Sequence, residues 1–238
     1  MKRINKTIYS ASLLSAAMVL SACSDNDNNE EVVVTPPEPV TYTYQVDVVN
    51  LTNGQPASPI AIALHDLDMP MWAIGEPATD GLALLAESGD NSEFLAVTAL
   101  LATASADDPT PPGESVSVTI SINDNAATAL TVAAMLGNTN DAFTGFTAMD
   151  LSQLNVGDVM TRFSLTYDAG TEANTESAMS VPGPAGGGEG PSEGREAHDF
   201  VTMHPGVVST EGGLSSSVLT ADQRFDNPTL RISVMRME

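Results

Sequence analysis

Residues Glu114 to Ile122 (ESVSVTISI) alternate apolar and hydroxyl side chains without a break. A helix would scatter these valines and isoleucines around its circumference. A strand places Val116, Val118, Ile120 and Ile122 on one face and the Ser and Thr side chains on the other. Such a strand is stable only against a second layer. Other segments read the same way: Tyr42 to Val49, Ile60 to His65, Asp158 to Tyr167, Phe200 to Met203 and Leu230 to Met237. Ala129 to Leu136 is apolar throughout, and Gly137 with the Asn-rich turn after it favours a strand. Leu51 to Pro59 and Asp107 to Gly113 are rich in Pro, Gly, Asn and Asp and read as turns. Two short helices are expected. One covers Ala78 to Ser88 and stops at Gly89; the other is N-capped by Ser92 and runs to about Ala102. Val181 to Glu196 is a Gly/Pro-rich loop. No internal repeat is found. The pattern predicts an all-β antiparallel β-sandwich with one or two short helices in connecting loops; a β-barrel is the alternative.

Charge is distributed unevenly along the chain. Lys2, Arg3 and Lys6 are the basic residues before Cys23, and every Asp and Glu lies after it. Between them lies an apolar, small-residue run from Ile8 to Leu20, too short for a stable membrane span. Basic head, apolar run and small residues make a secretory signal. The ending Leu20-Ser21-Ala22-Cys23 looks like a bacterial lipobox, in which the Cys is lipidated. Residues 1–22 are therefore expected to be a lipoprotein signal peptide. Residues 23–40, acidic and Pro-rich, read as an extended tether, and 41–238 as one domain. Ser24 rather than Asp follows the Cys. By resemblance to sorted Gram-negative lipoproteins, this favours the outer membrane.

The chain carries 31 acidic against 8 basic residues, a net charge of −23. That excludes nucleic acid as a partner, because phosphate binding needs Lys and Arg. It equally excludes electrostatic docking on an anionic membrane, leaving the lipid anchor as the membrane contact. After Cys23 no Lys remains and the Arg residues are Arg162, Arg195, Arg224, Arg231 and Arg236. Schiff-base, Ser-Lys and P-loop chemistry are thereby removed. With one Cys, no disulfide can form within the chain.

Two acidic stretches follow apolar segments. Tyr167-Asp168-Ala169-Gly170-Thr171-Glu172 holds two carboxylates around a Gly, with Asn174 and Glu176 beyond; Asn138-Thr139-Asn140-Asp141 is the other. Calcium takes six to eight hard oxygens from such loops. In a chain this acidic, a solvated turn fits the same residues. His65, His198 and His204 include no pair spaced by one helical turn. A copper reading of His204 with Met69, Met71, Met203, Met235 and Met237 competes with Met as core filler. No H-E-x-x-H or S-x-x-K motif occurs; G-x-S-x-G occurs once, at Gly190-Pro191-Ser192-Glu193-Gly194, inside the Gly/Pro-rich loop rather than between a strand and a helix, and no catalytic residue is assigned.

Several pieces, in order, resemble one family. They are Val48-Val49-Asn50-Leu51-Thr52-Asn53-Gly54-Gln55-Pro56, His65-Asp66, and Gly75-Glu76-Pro77-Ala78 leading into Leu82 to Glu87. Asn138 to Phe146, Tyr167 to Glu172 and Asn227-Pro228 complete the set. Together they look like the spondin domain, the N-terminal region of F-spondin. The resemblance implies a C2-like antiparallel β-sandwich with a calcium site at one end. The acidic residue of the family's D-x-F-x-G segment falls on Asp141, and those of its D-A-G-T-[DE] segment on Asp168 and Glu172. Glu stands where Asp is frequent, one methylene longer but still a calcium ligand. Nothing in the family corresponds to Gly183 to Gly190.

The expected function is a calcium-binding, non-catalytic adhesion or interaction module anchored by lipid to the bacterial cell envelope. Its partner would be a surface protein or a polysaccharide. The alternatives are a structural envelope lipoprotein without metal, and an envelope hydrolase with an unrecognised site around His65, Asp66 and His204.

Overall fold

Strand β1 (Thr41–Asn50) is the spine of one sheet. It pairs antiparallel with β10 (Leu230–Arg236) on one side and β4 (Ser115–Asn123) on the other. β7 (Val159–Phe163) completes the order β4-β1-β10-β7. The second sheet runs β3 (Ala102–Ser105), β2 (Ala61–His65), β5 (Ala129–Met135), β6 (Ala142–Asp150), β8 (Leu165–Asp168), β9 (Thr202–Met203). These strands belong to a computed structural model, which describes residues 38–123, 127–191 and 199–238. The expected signal peptide, Cys23 and most of the tether lie outside the described residues, as do Arg195 and His198. Among the described residues no helix is long and apolar enough to cross a membrane.

The two sheets make an all-β sandwich, and its core follows from the alternation. Val46, Val48, Val118, Ile120, Ile122, Ile232 and Val234 on one sheet pack against Ile62, Leu64, Leu130 and Val132 on the other. β2 and β5 do not alternate, because every residue in both is buried. Their outer face is covered by α1 (Asp80–Ser88), through Leu82, Leu85 and Ala86, together with Trp72 and Phe94. Strands covered on both sides read as continuous apolar runs. α1 starts where Thr79 Oγ1 accepts the Leu82 N–H, and ends at Gly89 in the left-handed conformation.

Two expectations need correction, and one strand had no sequence pattern. The second helix is not formed: a single 3-10 turn spans Phe94–Ala96, Ser92 does not cap it, and β3 follows where the helix was expected to end. The strand expected over Asp158 to Tyr167 is two strands in different sheets. At buried Ser164 the chain passes from β7, paired with β10, to β8, paired with β6. The Ser164 side chain accepts the Leu230 N–H and joins a closed hydroxyl cluster with Thr144, Thr166 and Thr229. β6 forms without a strand-like sequence pattern, since Gly145 and Thr-rich neighbours dilute its apolar signal. Gly145 sits at φ 153°, where a Cβ would collide with the Val132 carbonyl oxygen. Gly145→Ala should therefore lower stability by about 3 kcal/mol or more, measured as the urea midpoint, because the central β5–β6 ladder must separate to admit the methyl group.

Candidate functional site

The pole of the sandwich where β5 turns into β6 gathers the acidic residues. The turn is closed by Thr139, whose hydroxyl donates to the Leu136 carbonyl and accepts the Ala142 N–H. Asp141 ends the turn. Asp168 ends β8, directly opposite Ala142 across the β6–β8 ladder, so the ladder register brings the two carboxylates together. The Asp141 carbonyl also accepts the Ala169 N–H at 3.1 Å. Gly170 lets the chain turn at once after Asp168. It has φ 74°, and a Cβ there would meet the Phe200 carbonyl.

Asp141 is fully buried. Its Oδ2 accepts the main-chain N–H of Thr171 at 2.8 Å and of Glu172 at 3.0 Å, with the Thr171 hydroxyl at 3.3 Å. Its Oδ1 has no hydrogen-bond partner among the described residues. Asp168, 2% exposed, accepts the Gly170 N–H on Oδ1 and the Asn174 amide on Oδ2, at 2.8 and 2.6 Å. Burial, and then the charge of Asp168, push the Asp141 carboxyl up to about 7; its three hydrogen bonds pull the other way without prevailing. A buried carboxylate pair that resists full ionisation, with one oxygen unpartnered, is a charge deficit that a proton or a cation can fill.

Glu172 is buried as well and reaches Asp141 through its own N–H. Among the described residues, no group of three or more His, Cys, Asp or Glu side chains is placed to hold a metal ion. The acidic pair thus supplies Asp141 and Asp168. Further oxygens nearby belong to amides and main chain, such as Asn140, whose Oδ1 accepts the Glu176 N–H at 3.4 Å.

Beyond the pair, two further buried groups shape this pole. Glu176 is 6% exposed and accepts three hydrogen bonds: Val208 N–H at 2.6 Å, Ser209 N–H at 2.9 Å and Ser217 Oγ–H at 2.6 Å. It is the organising anion of the loop that follows β9. His204 takes the Gly206 N–H on Nδ1 and packs its ring against Phe225 at 5.3 Å. Burial lowers its pKa, against the opposing charges of Asp168 and Glu176. A neutral ring fits a nitrogen that accepts a main-chain N–H. His65 is used differently. Its Nδ1 meets the Asp66 carbonyl and its Nε2 the Thr131 hydroxyl, at 2.8 and 2.7 Å, beside the irregularity in the β5–β6 ladder. The Gly-rich segment docks on the acidic turn, Gly183 N–H to Gly137 O and Ala185 N–H to Asn138 Oδ1.

An aromatic cluster backs this pole. Trp72 meets Phe143 and Tyr167 edge-on at 5.2 and 5.7 Å, and Phe143 stacks on Tyr167. Phe143 and Tyr167 stand within two residues of Asp141 and Asp168 along their strands.

No protein-family model matches the chain, and no curated protein matches it.

Proposed function

We propose that the chain is a calcium-binding, non-catalytic interaction module of spondin type, held on a bacterial cell envelope by a lipid at Cys23. One observation carries the calcium reading: Asp141 and Asp168 are buried together, and Asp141 Oδ1 has no donor among the described residues. Calcium suits such a site because it accepts carboxylate, amide, main-chain and water oxygens in flexible geometry. On this reading Asp141 and Asp168 are the anionic ligands, and Glu172 is the third carboxylate drawn in when the loops close. When bound, calcium supplies positive charge and ordering. The chain's own residues position the loops, Thr139 by closing the turn and Gly170 by admitting the sharp bend.

The interaction role rests on the charge and on the lipobox. A strongly acidic domain held by its amino-terminal side offers its loops to a surface protein or a polysaccharide while repelling nucleic acid.

The test is the unfolding midpoint of the purified full-length chain in EDTA, in calcium and in magnesium. Calcium at about a hundredfold its Kd should add ~2.7 kcal/mol, or roughly 5–10 °C. Magnesium at the same concentration should add little, because it demands tighter octahedral geometry. The emission of Trp72, the sole tryptophan, should shift in step with the calcium titration, since its ring packs against the strands that carry the pair. An unchanged midpoint and emission in calcium would leave the acidic pole as a structural feature of an envelope lipoprotein.

A further inference from the structure

The two sheets leave four edges, and nature normally blunts edges by making them short, charged, bulged or proline-bearing. β3, β7 and β9 are short, at 4, 5 and 2 residues. β4 is not. It runs nine residues, carries no charge, Pro or Gly, and pairs with β1 in continuous register without a bulge. Among the described residues no strand hydrogen-bonds to its other edge, although β3 of the second sheet lies close to it.

A groove of about 470 Å³ follows that edge. One wall is the run Ser115, Val116, Ser117, Val118, Thr119; the other is Ser105 to Pro111. Successive strand residues point to opposite faces, so five in a row can line one groove only if it lies along the strand's backbone edge. Five residues span roughly 16 Å. The facing wall carries Asp107 and Asp108, both exposed and without a hydrogen bond from any described residue. Thr110, also in the wall, is 3% exposed and its hydroxyl has no partner among the described residues.

We propose that this groove receives an extended, Lys- or Arg-bearing polypeptide segment, which adds to β4 as a further strand and places a cationic side chain against Asp107 and Asp108. Backbone pairing supplies the affinity and the two carboxylates the selectivity, as in other strand additions. The site is separate from the Asp141–Asp168 pair and does not depend on calcium. A second copy of this chain is disfavoured as the occupant, because it would bring −23 against −23 and two more Asp pairs to the same groove. The lining contains no aromatic ring on which a sugar could stack.

The experiment uses the full-length chain and a labelled peptide matched to the nine residues of β4, alternating Val and Thr with three Lys replacing Thr, read by fluorescence anisotropy. Saturable binding is expected, with protection of β4 amides from hydrogen exchange. The same peptide N-methylated at alternate residues should bind about tenfold more weakly or worse, since its charge is kept and its ladder is lost. A peptide with Glu in place of Lys should not bind. The double variant Asp107→Asn, Asp108→Asn should weaken binding about fivefold or more without moving the unfolding midpoint, because both side chains are exposed. The proposal is overturned by equal binding of the N-methylated peptide, by an unaffected double variant, or by no saturation up to about 1 mM. It is equally overturned if sedimentation finds a dimer of the chain that the peptide cannot dissociate.

Discussion

Replacing Asp141 by Asn will abolish the calcium-dependent rise in the unfolding midpoint while leaving the metal-free protein folded. The amide oxygen of Asn can still accept the Thr171 and Glu172 N–H groups that Oδ2 accepts now. What disappears is the second negative charge beside Asp168. The metal-free midpoint at pH 8 should therefore stand equal to or above that of the unsubstituted protein, an uncommon result for a change at a fully buried position. The pH dependence gives an independent check. Asp141 holds its proton in the folded state up to about 7, against an ordinary value of 3.8. The folded state thus binds more protons than the unfolded one between about pH 4 and 7. This group's stabilising contribution is fully present below pH 4 and is lost as pH rises through 7. In Asp141→Asn that part of the slope vanishes. In the unsubstituted protein, calcium must displace the same proton, so its affinity should be about tenfold lower at pH 6 than at pH 8. A calcium-induced shift that survives Asp141→Asn would sink the assignment of the site.

The second large effect is expected at Glu176. Its carboxylate gathers three donors from residues 208, 209 and 217, in a stretch between β9 and β10 whose one regular turn is the 3-10 turn at Ala221–Gln223. The stretch has only a small apolar cluster, Val207 and Leu219 packed with Val181 from the loop before β9. Glu176→Ala leaves two N–H groups and a buried hydroxyl without their acceptor, at a cost of about 3–5 kcal/mol. Limited proteolysis should then cut between 205 and 220 before any strand is attacked. Glu176→Gln keeps one carbonyl oxygen but turns an NH₂ toward an N–H donor, and should lose roughly half as much. An Ala variant as stable and as protease-resistant as the unsubstituted protein would show that the loop is held by something other than this anion.

How much of this was legible in the residues depended on how many faces of each element are covered. β4 was plain, because one face meets the core and the other meets solvent, so the pattern repeats every two residues. α1 was plain from its cap and its terminal Gly89. β3, at four residues, is shorter than the window that periodicity needs. The break between β7 and β8 was hidden because Ser164 continues an extended backbone; only the change of partner, from β10 to β6, separates the two strands. At the candidate site, Asp141 and Asp168 could be picked out because each ends an apolar run and the ladder does the rest. Glu176 and His204 stood out by residue type, but not by role. His204 Nδ1 accepts a nearby N–H in a loop, and Glu176 is matched to donors more than thirty residues away, along a course no local pattern fixes.

The direction of β1 carries a consequence for how the domain is presented. Asn50, at its far end, donates to the Gln55 carbonyl, and Gln55 in turn brackets the main chain of Asn138 with both ends of its amide. The acidic turn therefore lies at the Asn50 pole, whereas the chain enters the domain at Thr41, ten residues and roughly 30 Å away. A pull exerted between the two poles runs along β1 and strains the ladders to β4 and β10 together, in shear, rather than unzipping one bond after another. A domain held from its amino-terminal side would keep its acidic pole outermost and grip its spine hardest under tension.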